Sequence, residues 1–229
     1  MGKPQIPVFL PGMSRSGKTL VESLLKQDAR VFGAGERSAL LDALHHVRHA
    51  QGITEAYPEC APRLNAALIA ELGTRYMAAM GALSDREYLI NSLPGHYLYL
   101  GLIFQALPTA KAVFCRREPL DQCLGIYRRR YGKENAHAYS FENIAAYHDG
   151  YVGLMAHWQR LYGPRILEVQ YEELVRDPRP VAGRLFAHLD LDMDPATLRA
   201  DFSTAEIGRW RNYKAHLGPL RAALAGLLQ

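Results

Sequence analysis

Residues 12–19 read G-M-S-R-S-G-K-T, which satisfies the phosphate-loop pattern G-x-x-x-x-G-K-[ST] at every position. Glycines permit backbone angles that other residues resist, so successive N–H groups and the start of a following helix face an anion. The segment before it, "QIPVFLPGM", reads as a buried strand running into a loop. The segment after it, "KTLVESLLKQ", carries Leu20, Val21, Leu24 and Leu25 at helical spacing. Strand, glycine loop and helix together define an anion-binding unit, with Lys18 adding a mobile cation and Thr19 a hydroxyl. That unit constrains the fold more than anything else in the chain.

The remaining pattern continues the alternation. Strands are expected at "ARVFGAGE", "EYLIN", "AKAVFCR" and "RILEVQY". Helices are expected at "RSALLDALHHVRHA", "RLNAALIAELGTRYMAAMGAL", "HYLYLGLIFQAL", "REPLDQCLGIYRRRYG", "YSFENIAAYHDGYVGLMAHWQRLYG", "DPRPVAGRLFAHLDL" and the tail. "QGITEAYPECAP" reads as a loop. The fold class is therefore α/β: a central, mostly parallel sheet flanked by helices, of the phosphate-loop nucleotide-binding type. With 229 residues, a single domain over 1–229 is expected. Ligands of such sheets sit at the carboxyl ends of the strands. Four of those ends carry notable residues: the loop at 12–19, Glu36, "NSLP" at 91–94 and "CRREP" at 115–119.

A net charge of +4 suits an anionic ligand and is too mild for a nucleic-acid partner. Cys60, Cys115 and Cys123 follow neither a metal spacing nor a disulfide framework, which favours a reducing compartment. No apolar run reaches the roughly 20 residues of a spanning helix. The start, "MGKPQIPVF", lacks the apolar core of a signal peptide. A cytoplasmic protein without a membrane partner is expected.

A nucleoside triphosphatase also needs an acid at a nearby strand end to share its magnesium. "EYLIN" ends in Asn91, and "AVFCR" runs into Arg116 and Arg117. Glu172 and Glu173 stand one or two residues beyond the apolar part of "ILEVQYEE". The metal half of such an enzyme is weak here, and no metal is expected.

Several pieces in order resemble the sulfotransferases that use 3′-phosphoadenosine 5′-phosphosulfate (PAPS), above all the branch of tyrosylprotein sulfotransferases and bacterial sulfotransferase domains. They are "SRSGKTL", "VFGAGE", "CRREPLDQCLGIY", "ILEVQYEELVRDP" and "GRWRNYKAHLGPL". The resemblance spans nearly the whole chain. It implies transfer of a sulfuryl group to a hydroxyl or amine of a small-molecule, sugar or peptide acceptor. Arg15, Ser16, Gly17, Lys18 and Thr19 would cradle the 5′-phosphosulfate. Arg117 would bind the 3′-phosphate, Tyr171 would touch the donor, and Arg209, Trp210 and Arg211 would close over the nucleotide. Glu36 matches the general base. Sulfuryl carries less charge than a terminal phosphoryl group, so cations and backbone donors suffice without magnesium.

Three departures from that pattern stand out. Lys18 replaces a usual threonine, Ser92 stands where the family has a lysine that stabilises the leaving oxygen, and Gly125 replaces a serine that would bind the 3′-phosphate. The expectation is that Lys18 supplies the charge missing at position 92; Arg15 is a further catalytic candidate. His96, after "SLPG", is a candidate alternative base or acceptor-lining group. His45, His46 and His49 read as a solvated or acceptor-lining helix face, and "RRRY" at 128–131 as a solvated helix end. Tyr147, Tyr151 and Trp158 read as core. The rival expectations are an ATP-dependent small-molecule kinase on the same loop and a catalytically inactive nucleotide-binding relative.

Overall fold

The computed structural model describes residues 4–200 and 202–225. Residues 1–3, Asp201 and the last four residues of the expected tail helix lie outside that range. Five strands form one parallel sheet: β1 (Ile6–Phe9), β2 (Val31–Gly33), β3 (Tyr88–Asn91), β4 (Lys111–Arg116) and β5 (Ile166–Gln170). Their order across the sheet is β2-β3-β1-β4-β5. β1 is central, paired in parallel with β3 (Ile6 opposite Tyr88, Phe9 opposite Asn91) and with β4 (Phe9 opposite Ala112). A central parallel strand is covered on both faces, which explains its unbroken apolar run. Val8, Phe9 and Leu10 are fully buried.

The period-two alternation of the strands sorts their side chains into two cores, one per face. Phe9, Leu89, Ala112 and Phe114 pack on one side. They meet α2 (Ala39–Ala50), α3 (Ala66–Gly81), α4 (Leu100–Ala106), α6 (Phe141–Tyr162) and α9 (Gly218–Ala223). Val8, Leu10, Tyr88, Ile90, Val113 and Cys115 pack on the other. There they meet α1 (Lys18–Leu25), α7 (Tyr171–Arg176) and α8 (Pro178–Leu189). The remaining long element, α5 (Pro119–Tyr127), follows β4 and packs its apolar face on the first core.

Local sequence explains most boundaries. Asn65 and Ser140 cap α3 and α6 by accepting the N–H groups of Leu68 and Asn143. Pro119 and Pro178 stand in the first turns of α5 and α8, where a missing N–H costs nothing. Two elements differ from expectation. The helix over "HYLYLGLIFQAL" splits into a 3-10 turn, Pro94–Tyr99, and α4. Tyr171 leaves the expected strand and opens α7, so Glu172 and Glu173 fall in a helical first turn. Tyr151 is buried and Tyr147 and Trp158 are partly buried against the core, as their helical spacing predicts.

Arg165, just before β5, is a tertiary staple that no local pattern announces. Its guanidinium donates to the carbonyls of Phe104, Leu107 and Ala110 at 3.0, 2.6 and 2.9 Å. These carbonyls stand at and beyond the end of α4; Leu107 O also accepts the N–H of Ala110, and the charged donor binds all three strongly.

α3 crosses the end of α4 with almost no gap. A Cβ on Gly73 would stand 2.2 Å from the carbonyl oxygen of Ala106, a backbone atom that cannot swing aside. Gly73→Ala gains about 0.5–1 kcal/mol of helix preference but incurs about 1–3 kcal/mol of overpacking. The expected outcome is net destabilisation, read as a lower urea midpoint with an unchanged slope.

Candidate functional site

The carboxyl ends of all five strands open into one cavity of about 440 Å³. β1 contributes Ser14, Arg15, Ser16, Gly17, Lys18, Thr19 and Leu20; β2 contributes Glu36, β3 Pro94, β4 Arg117 and β5 Tyr171. Arg129, Arg130 and Tyr131, beyond the end of α5, complete the wall.

Three loop carbonyls are turned outward by side chains of the β4–α5 segment. Gln122 Nε2 donates to Ser14 O at 3.3 Å, Arg117 Nη1 to Arg15 O at 2.9 Å, and Cys115 Sγ to Ser16 O at 3.0 Å. A trans peptide carries its N–H opposite its C=O. Drawing these three oxygens toward β4 and α5 therefore turns the N–H groups of Arg15, Ser16 and Gly17 the other way. The loop needs left-handed angles to do this: φ is +66° at Arg15 and +109° at Gly17. Gly17 is required sterically as well, since a Cβ there would lie 2.6 Å from Tyr171 Cδ2 and 3.0 Å from Cys115 Sγ. It is also the N-cap of α1, with no side-chain cap and no acid in the first turn. The helix start thus keeps free amides and its positive end for an anion.

Lys18 is buried and folds back on its own loop, with Nζ donating to Gly12 O at 2.8 Å. Burial pushes its pKa down to about 8, against the opposing pull of the Glu36 carboxylate. Gly12 N donates to Pro94 O at 3.2 Å, so Lys18 is bound to the segment that carries Ser92. Ser92 itself is buried, with its N–H on Gly35 O at 3.0 Å.

Asn91, where a triphosphatase would carry aspartate, is a two-sided clip. Its Oδ1 accepts the N–H of Arg37 at 3.1 Å and its Nδ2 donates to Arg37 O at 3.1 Å. It also accepts the N–H of Leu93 at 3.2 Å. This fully buried amide fixes the bend that presents exposed Glu36. The acids beyond β5 are likewise engaged. Glu172 accepts the N–H of Glu118 at 3.0 Å and Gln170 Nε2 at 2.5 Å, and Glu173 pairs with Arg184 at 2.7 Å.

Arg117 is held from three sides: Arg15 O, Glu206 O at 2.9 Å, and the Tyr171 ring 4.2 Å below its guanidinium carbon. Asp121, four residues on and buried, accepts the N–H groups of Gly208 at 2.5 Å and Trp210 at 2.8 Å. One turn of α5 therefore docks the C-terminal segment. Arg209 pairs with Glu206, and Arg211 lies 5.1 Å over the Trp210 ring. Arg209, Trp210 and Arg211 are beside the cavity rather than in its wall. Gly125 lies beneath Arg15: a Cβ there would stand 3.5 Å from Arg15 Cβ and 3.7 Å from its Nε. His96 is completely buried behind the wall, edge-on to Phe9 at 5.0 Å, and burial pushes its pKa down to about 3.

Arg15 Nε, Ser16 Oγ and Arg117 Nε are buried and make no hydrogen bond among the described residues. Arg48 Nε, both ring nitrogens of His96, His148 Nδ1 and Gln159 Oε1 share that condition outside the cavity wall. Arg129 and Arg130, expected as part of a solvated helix end, are exposed, and with Tyr131 they also line the cavity. Their one signal was position, a helix length beyond "CRREP" on a helix that leaves the strand-end face.

Fold and site together define an α/β anion-binding protein with a phosphate-type loop at the end of its central strand. Residues 7–195 match the profile of the sulfotransferase family, and the chain belongs to that family. Solved structures share the fold. The sulfotransferase domain of the Synechococcus PCC 7002 olefin synthase is 20% identical, with 92% of this chain and 88% of that one covered at a TM-score of 0.62. Mouse sulfotransferase SULT7A1, solved with PAP, is 13% identical, with 99% and 84% covered at 0.57. A retinol dehydratase solved with retinol and PAP is 14% identical, with 100% and 83% covered at 0.50. An uncharacterized protein of Aquifex aeolicus (strain VF5) is 23% identical over 93% of this chain, which spans about a third (31%) of that relative's length. Among the described residues no helix is long and apolar enough to cross a membrane.

Asn91→Asp tests the clip. The variant loses the bond to Arg37 O and places a carboxylate in a fully buried position, a cost of about 1–3 kcal/mol. Burial raises the new acid's folded pKa above its unfolded value near 4. The loss is therefore largest at neutral pH and is relieved as pH falls toward 4, which urea melts at several pH values will read.

Proposed function

We propose that this chain transfers a sulfuryl group from PAPS to a hydroxyl or amine acceptor, without a metal. The observation that carries this reading is the outward-turned loop and the uncapped start of α1, in one cavity with the side chains of Arg15, Lys18 and Arg117. They suit a ligand with anionic groups at both ends, and PAP in two solved relatives of the same fold supports the choice of donor. The engagement of Asn91, Glu172 and Glu173 in structural bonds supports a site that works with cations and amides.

In this reading the amides of Arg15, Ser16 and Gly17, with Thr19 and the start of α1, hold the 5′-phosphosulfate. Arg117 holds the 3′-phosphate against Tyr171. Arg209, Trp210 and Arg211 border the nucleotide from the segment docked on Asp121. Glu36 takes the proton of the acceptor hydroxyl as its oxygen bonds to sulfur and the bond from sulfur to the bridging oxygen breaks. Lys18 stabilises the charge that develops on the leaving oxygen, the task that Ser92 cannot perform. Its tie to Gly12, next to Pro94, supports this substitution of one cation for another. Gly125, where a Cβ would meet Arg15 at ordinary contact distance, leaves the 3′-phosphate without the hydroxyl a serine would offer. His96, fully buried and edge-on to Phe9, fits a packing role better than that of a base.

Adenosine 3′,5′-bisphosphate is expected to raise the melting temperature without magnesium, by mass action on the folded state. Preference for Mg-ATP would overturn the reading in favour of a kinase, and silence with every nucleotide would favour an inactive relative. Glu36→Gln is expected to lower kcat by about 10²–10⁴ while leaving bisphosphate affinity intact, measured by isothermal titration.

Lys18 carries its own pH signature. Its ammonium is charged below about pH 8 and lost above it. The donor's kcat/KM, which reports the free enzyme, is expected to fall above that pH. Lys18→Arg should move this limb to higher pH, and Lys18→Ala should cost about 10²–10³ in kcat. Near-normal turnover in Lys18→Ala would exclude the compensation.

A further inference from the structure

The cavity at the strand ends holds an amine as well as an anion cradle. Lys18 is the one lysine in its wall. The side chain is buried, and the bond from Nζ to Gly12 O, at 2.8 Å, folds the amine back over the loop. The same loop turns the N–H groups of Arg15, Ser16 and Gly17 away from β4 and α5, and α1 starts without a side-chain cap. A place for a phosphate group and a primary amine thus share one small cavity, both on a single loop. Lys26 and Lys214, by contrast, are exposed, and Lys111 is held by His188 O and the Asp190 carboxylate.

Burial favours the neutral form of Lys18 and outweighs the opposing pull of Glu36, Cys115 and Glu22, so its pKa falls to about 8. About a tenth of the molecules then carry a nucleophilic amine at pH 7. An ordinary lysine, near 10.4, leaves almost none.

Beyond sulfuryl transfer, we propose that Lys18 is an acylation site for acyl phosphates, whose phosphate rests on the loop while their carbonyl carbon meets Nζ. The amine adds to that carbon and the N–C bond forms. The C–O bond to phosphate breaks, its electron pair leaves with the phosphate, and the nitrogen releases one proton to water. The departing phosphate is the kind of anion that the loop amides and the start of α1 stabilise. The product amide keeps one N–H for Gly12 O and loses the charge. The loop keeps its tie while the cation assigned to the leaving oxygen is gone. Acylation therefore silences the enzyme, a consequence that rests on the sulfotransfer reading; the labelling itself does not.

The test is acetylation by acetyl phosphate at neutral pH, followed lysine by lysine through peptide mass mapping. Lys18 is expected to react faster than Lys26 and Lys214 by about tenfold or more, because the loop holds the reagent beside it. Inorganic phosphate, competing for the loop, should slow Lys18 and leave the other two unchanged. The N-hydroxysuccinimide ester of acetate, which carries no phosphate, should show no such preference. Lys18 reacting no faster than the exposed lysines overturns the site, as does inorganic phosphate without effect. An equal preference with the uncharged ester also overturns it, since the amine would then react without the cradle. Adenosine 3′,5′-bisphosphate should protect Lys18 as phosphate does, and sulfuryl transfer should fall in proportion to the label on Lys18. Labelling as expected, with no protection by the bisphosphate, keeps the acylation site and overturns the sulfotransfer reading instead.

Discussion

The site depends on three carbonyl groups being pulled the same way. Ser14, Arg15 and Ser16 give their oxygens to Gln122, Arg117 and Cys115, all from the β4–α5 segment. An isolated glycine loop samples many conformations and loses that freedom on folding. Here the neighbouring strand and helix bear that loss before any ligand arrives. The amides are then preorganised, which is where electrostatic stabilisation is most effective. The thiol of Cys115, pushed up to about 12 by complete burial, stays protonated and can act as the donor this arrangement needs.

The same segment reaches in the other direction. Arg117 touches both the loop and Glu206, and Asp121 gathers two amides of the C-terminal segment. Loop and tail are thus tied to one short segment, from Cys115 at the end of β4 to Gln122 in the first turn of α5. On the opposite side of β1, Asn91 performs the matching task for Glu36. Its amide both donates and accepts, which an ionised aspartate cannot do.

The alternation of strands and helices was legible in the sequence because burial on both faces writes itself as apolar runs at β1, β3 and β4. The loop was legible because few residues tolerate its angles. Arg15, Ser16, Gly17, Lys18, Thr19, Glu36, Arg117 and Tyr171 were all marked from sequence, and all line one cavity. Arg129, Arg130 and Tyr131 were read as a solvated helix end, since three consecutive arginines look alike on paper. Their facing depends on where α5 stops, and a helix terminus shifts easily by a residue or two. Arg209, Trp210 and Arg211, marked as donor contacts, belong to the segment that Arg117 and Asp121 hold through Glu206 O and Trp210 N.

The sequence by itself determined the class of fold and the chemistry of the loop. Period-two and helical patterns are local, and φ preferences belong to single residues. Only the tertiary structure decided that Asn91 is a clip, that Asp121 anchors the tail, that His96 is sealed away and that Arg165 gathers three carbonyls. These roles rest on bonds between residues tens of positions apart. The same short polar or charged side chain serves a site or a scaffold according to which carbonyl or amide the fold brings to it.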